Sequence, residues 1–89
     1  MATLRERKHY RKAVMRVLYV AVAGNQPGLS GAALRDKVRL SDEDLAAACT
    51  YLAEEGLISV EWTQHRTPAT VTLTHDGIRL MEAEEEERG

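Results

Sequence analysis

The sequence predicts an α+β domain: a three-helix core, a β-hairpin and a closing C-terminal helix. Three observations carry this expectation. Residues 44 to 55 have helical periodicity and meet a glycine stop at Gly56. Ile58, Val60 and Trp62, and later Val71 and Leu73, alternate with polar residues on either side of a polar segment, as two half-buried strands do. Thr74-His75-Asp76-Gly77 then reads as the opening of a further helix.

The elements follow in order. A first helix is expected over about Thr3 to Ala23. At 100° per residue, Tyr10, Val14, Val17, Leu18 and Ala21 fall within about 100° of one another. Arg5, Lys8, Lys12 and Arg16 fall within about 80°, on the opposite side. Gly24-Asn25-Gln26-Pro27-Gly28 ends this helix, because Gly and Asn suit the left-handed cap and Pro cannot continue. Leu29 reads as a very short strand. Ser30 caps a second helix over Gly31 to about Val38, with Ala33, Leu34 and Val38 inward. Ser41-Asp42-Glu43-Asp44 matches the Ser-x-x-acid start of a third helix, and its three acids suit the positive end of the helix dipole. That helix runs to about Glu55. Thr63 to Ala69 is expected to be a polar loop containing Pro68, and Thr74 caps the last helix, with Ile78 and Met81 one turn apart. Glu84 to Glu87 reads as a frayed acidic tail. The core should join Leu45, Leu52, Leu57, Ile58, Val71, Leu73 and Ile78 to Val14, Val17 and Leu18.

The chain is 89 residues long, enough for one domain over 1–89 with a basic N-terminal helix extension and an acidic tail. A chain of this size buries roughly 60–65% of the surface its unfolded form exposes, so one modest core is expected and no deep substrate cavity. Phe is absent and there is one Trp, so that core must be aliphatic. The single cysteine excludes an internal disulfide framework and fits a reducing compartment. The apolar stretch from Ala13 to Ala23 is too short to span a bilayer and is interrupted by Arg16. The sequence is therefore read as cytoplasmic, without a membrane partner.

A net charge of −2 hides a strong segregation. Residues 1–39 carry nine Lys/Arg and two acids, which is +7; residues 40–89 carry three Lys/Arg and twelve acids, which is −9. Such a chain attracts an anionic partner at one end and repels it at the other.

The order helix, short strand, helix, helix, strand, loop, strand, helix resembles the winged helix-turn-helix superfamily, and in pattern the small bacterial regulators of the PadR and MarR kinds. Leu52-x-x-x-Gly56-Leu57-Ile58 matches the end of that family's recognition helix and the start of its wing. Leu73-Thr74-x-x-Gly77 matches the end of the wing and the start of the closing helix. The resemblance covers about residues 13–83. It implies a DNA-binding, transcription-regulator-like module in which Ser41 to Glu55 enters the major groove and the wing approaches a minor groove. Winged helices also serve as protein-binding modules, so an adaptor or assembly domain is the alternative.

The residues that bear on function are few. Arg5, Lys8, Lys12 and Arg16, with Arg7 and Arg11 beside them, are candidates to grip phosphates. They equally suit a solvated helix face, or docking on an acidic protein surface such as the acidic half of a second copy. Ser41 and Thr50 are the candidate DNA contacts on the third helix, and His65 and Arg66 those at the wing tip, where Arg is favoured in a minor groove. The exposed face expected for the third helix, Glu43, Ala47, Thr50 and Glu54 with Asp44 and Tyr51 beside it, holds no Lys or Arg. In DNA, with one charge per about 1.7 Å of axis, it would meet repulsion. For the adaptor alternative, Glu43, Ala47, Tyr51 and Glu54 are the candidate contacts. Cys49 falls on the apolar face of its helix and reads as a buried side chain rather than a reactive thiol. His9, His65 and His75 lack ligand spacing, so no metal is expected. No phosphate-cradling glycine loop and no nucleophile–base pair points to catalysis, a cofactor or a small-molecule substrate. The expected partners are double-stranded DNA or a protein, with a homodimer open.

Overall fold

The structure is a computed structural model and describes residues 2–88; the two ends of the expected domain, residues 1 and 89, lie outside the described residues. Among the described residues the chain forms helix α1 (Leu4–Ala23), strand β1 (Gly28–Ser30), helices α2 (Gly31–Val38) and α3 (Asp42–Glu54), strands β2 (Ile58–Trp62) and β3 (Pro68–Leu73), and helix α4 (His75–Glu87). The fold is α+β, with an antiparallel sheet in the order β1-β3-β2. Leu29 pairs with Val71, and Val60 pairs with Val71 from the other side, so Val71 sits at the centre of the sheet and is fully buried.

Side-chain caps set the helix starts. The hydroxyls of Thr3, Ser30, Ser41 and Thr74 accept from the backbone N–H three residues on, at 3.1 Å in each case. At Thr3 the box is reciprocal, since its own N–H donates to Glu6 Oε1 at 2.9 Å. Left-handed residues set three of the stops, one of them Arg39 (φ 55°), which closes α2 with its N–H donating to Arg35 O at 2.8 Å. Asn25 (φ 67°) closes α1, with the Gln26 N–H donating to Ala21 O at 2.8 Å. Gly56 (φ 75°) closes α3, with the Leu57 N–H donating to Leu52 O at 3.0 Å. The left-handed residue after α1 is thus Asn25, while Gly24 stays at φ −91°.

Val14, Leu18, Leu34, Leu45, Leu52, Ile58, Val71 and Leu73 are buried in one aliphatic core, joined by Met15, Leu29, Ala48, Cys49 and Met81. Val17, Leu57 and Ile78, expected inside, are only half-buried against its edge. Their place is taken by Met15 and Met81, flexible side chains that fill the space under α4.

This exchange corrects the expected geometry of α1. Val14, Met15 and Leu18 centre the buried face about 60° from the middle of the apolar stripe read from sequence. The stripe of Arg5, Lys8, Lys12 and Arg16 therefore lies beside the buried face rather than opposite it. Two further expectations change. The loop ends earlier, because Pro68 begins β3 across a bulge between Glu61 and Trp62, where a residue without an N–H is tolerated. Glu84 to Glu87 are helical, and α4 is tied to α1 by the Tyr19 hydroxyl, which donates to Glu85 Oε2 at 2.9 Å.

Candidate nucleic-acid interface

α1 has 20 residues, about 30 Å of helix, and is long relative to the core it covers. Its C-terminal half buries Val14, Met15 and Leu18. In the first two turns the same direction of the helix presents Arg7 and Arg11 instead. These side chains, with Glu6 and Tyr10, form one wall of an open groove of about 850 Å³. The other wall is α3, with Ser41, Glu43, Asp44, Ala47 and Tyr51. The Arg11 guanidinium lies over the Tyr51 ring, 3.7 Å from its centroid, and its Nε donates to Arg7 O at 3.3 Å. The stack holds a cation against the solvent face of α3, which carries no Lys or Arg of its own.

A second open groove, of about 560 Å³, lies on the other side of Arg11 and Tyr51, between α1, the end of α3 and α4. Lys8, Lys12 and Arg16 line it from α1, and Glu84 and Glu87 from α4, with Arg88 at the end of that helix. Met15, Leu52, Leu57, Leu80 and Met81 provide its apolar lining. Lys8, Lys12 and Arg16 therefore face a different groove from Ser41 and Glu43, and Arg5 is exposed on the first turn of α1 and lines neither.

Thr50 and Glu54 are exposed on α3, and the Thr50 hydroxyl donates to Ala46 O at 2.8 Å. His65 and Arg66 are exposed at the tip of the β2–β3 loop and line neither groove. That tip is held by the Thr63 N–H, which donates to Thr67 O at 2.9 Å, and by the Thr63 and Thr67 hydroxyls at 2.8 Å. Arg66 occupies the left-handed region there (φ 61°).

Sequence reasoning gave Arg7 and Arg11 only a supporting place beside the cationic stripe. The signal that could have raised them is their phase, since both continue the direction of Val14 and Leu18. It also passed over Lys37 and Arg39, two exposed cations just ahead of the Ser41 cap. Nearby, Arg35 Nη1 is 2.6 Å from Asp42 Oδ1, an exposed pair joining α2 to α3.

Cys49 is buried, and burial pushes its thiol up from 9.0 to about 11, which leaves it protonated and unreactive at neutral pH. Among the described residues no group of three His, Cys, Asp or Glu is placed to hold a metal ion, and no helix is long and apolar enough to cross a membrane. Comparison with protein-family models, with curated proteins and with solved structures returns no match for this chain.

Proposed function

We propose that this chain is a winged-helix, DNA-binding module of the transcription-regulator type, with α3 as the helix offered to the major groove and the β2–β3 loop as the wing. The observation that carries the reading is the groove shared by Arg7 and Arg11 of α1 with Ser41, Ala47 and Tyr51 of α3. It bears on the chief physical objection, an acidic recognition helix, by setting two cations beside the carboxylates of Glu43 and Asp44, although with Glu6 the groove still holds three acids to two cations. Phosphates flanking α3 would meet Arg7 and Arg11, and Arg66 at the ordered loop tip would reach the neighbouring backbone or minor groove.

Fluorescence anisotropy with a random duplex in a salt series tests this. Three cations, Arg7, Arg11 and Arg66, give a log–log slope near −2.7, from roughly −0.9 per phosphate. Engagement of the Arg5, Lys8, Lys12 and Arg16 stripe as well would steepen it by about −3.6 more. Absence of duplex binding at low salt overturns the reading.

One observation favours a second reading, a winged helix that binds protein. The α3 face of Glu43, Ala47 and Glu54 has no cation of its own, and Tyr51 beside it is 45% exposed. An aromatic side chain among carboxylates suits a basic protein partner. In the same titration this reading gives no duplex binding at any salt.

A further inference from the structure

Of the six cations between Arg5 and Arg16, Arg11 alone is half-buried; the other five are exposed. One face of its guanidinium lies over the Tyr51 ring, 3.7 Å from the centroid. Its Nε is engaged as well, donating to Arg7 O at 3.3 Å. The two terminal nitrogens remain. Among the described residues they meet no carboxylate within 4.0 Å, since the one ion pair is Arg35–Asp42, on α2 and α3. Arg11 is thus ordered on one face and one edge, with the two-pronged end of its fork unused. That end is the part of an arginine that grips a phosphate through two parallel hydrogen bonds.

We propose that Tyr51 is a positioning residue for DNA binding, holding Arg11 as a prepared phosphate clamp on the α3 side of the domain. This role rests on the DNA-binding reading. It adds the means by which α3, with no Lys or Arg of its own, acquires a fixed cation. Arg11 borders both grooves. Glu43 and Asp44 line the one toward α3, and Glu84 and Glu87 the one toward α4. An arginine on a free stem would exchange among these carboxylates and water. The ring selects one place, because a cation is attracted to the face of an aromatic ring. The ring is itself held in place, since Ala48 and Leu52 beside it on α3 are buried. Tyrosine does this without adding charge, so a phosphate meets the whole cation rather than one already neutralised in an ion pair. An arginine ordered before the DNA arrives also loses less side-chain freedom on binding.

The test is fluorescence anisotropy with a random duplex in a salt series, on chains altered at the two positions. Arg11→Gln is expected to weaken binding and to make the log–log salt slope shallower by about 0.9, the share of one phosphate. Tyr51→Leu keeps Arg11 but removes the ring, and is expected to weaken binding about three- to tenfold at low salt. Tyr51→Phe keeps the ring and is expected to bind like the unaltered chain. In the Arg11→Gln background, Tyr51→Leu should have almost no further effect, a coupling that a merely structural role for the ring would not produce. Tyr51 is exposed, and circular dichroism checks that each variant is folded. Nuclear magnetic resonance gives a readout without DNA. The ring should shift the Arg11 Hε resonance upfield in the unaltered chain and in Tyr51→Phe, and not in Tyr51→Leu. The positioning role is overturned, and the DNA reading stands, if the unaltered chain binds duplex and the Arg11 and Tyr51 effects simply add. The same holds if Tyr51→Leu binds like the unaltered chain, or if Arg11 Hε shows no ring shift. An unaltered chain that binds no duplex at low salt overturns both.

Discussion

Gly31 is the clearest case of a residue whose role only the folded chain reveals. In sequence it is the first helical residue after the Ser30 cap. In the fold, a Cβ at this position would run into the carbonyl of Pro68, where β3 begins. The contact joins residues far apart in the chain, so no local pattern reports it. Gly56 differs: it needs its φ of +75°, but nothing lies within 4 Å of a Cβ there. Its need was legible, because a glycine after a periodic helix is the sequence form of a left-handed stop. The two glycines should therefore respond differently to alanine. Gly56→Ala is expected to cost about 1–2 kcal/mol, from the left-handed backbone alone. Gly31→Ala is expected to cost more, about 3 kcal/mol, since the clash is with backbone and must move β3 or α2. Urea unfolding of both variants measures this. A Gly31→Ala loss no larger than that of Gly56→Ala refutes the close approach.

The junction of α3, the hairpin and α4 explains why the sequence was most readable there. Gly56-Leu57 and Thr74 lie well apart in the chain, yet they form one clamp. The Thr74 hydroxyl donates to Gly56 O at 2.6 Å while accepting from Gly77 N–H at 3.1 Å, and the Thr74 N–H donates to Leu57 O at 3.0 Å. A Cβ on Gly77 would strike Leu57 O. The residue types at both ends of the hairpin are thus fixed by one another, and each also carries a local signal, a helix stop and a helix cap. The α1 face had no such double signal. Periodicity placed the apolar arc, but Met15 could be assigned to the core only by knowing that α4 returns over it. The clamp gives a prediction at the scale of the element. Thr74→Val keeps the shape and removes both hydroxyl bonds, and is expected to cost about 1–3 kcal/mol. The loss should localise, with amides of α4 and the end of α3 exchanging faster with solvent while α1 and α2 change little. Uniform loss of protection over the whole chain would show instead that α4 has no separate opening.

For the whole molecule, the order of elements was legible because each boundary has its own cap or stop, whereas the juxtaposition of charged faces was not. The chain carries six cations between Arg5 and Arg16. Folding separates them, with Arg7 toward α3, Lys8, Lys12 and Arg16 toward α4, Arg11 between the two grooves and Arg5 lining neither. That division depends on a shift of about 60° in the buried face of α1, less than the angle between successive residues. It decides how the acidic face of α3 should behave toward DNA. Glu43 lines the groove with Arg7 and Arg11, and Glu54 is exposed further along the same helix. If a duplex occupies this face, the two carboxylates lie near phosphates and repel them through partly screened Coulomb forces. Glu43→Gln with Glu54→Gln should then tighten random-duplex binding about three- to tenfold at low salt, and less as salt rises. If a basic protein occupies the face, the same changes should weaken that complex, mainly by slowing association. Both side chains are exposed and Asp42 and Asp44 remain in the first turn of α3, so the stability change should stay within about 1 kcal/mol. Duplex affinity unchanged by the double substitution at every salt concentration would place DNA away from α3, and would remove the docking geometry on which the proposed function rests.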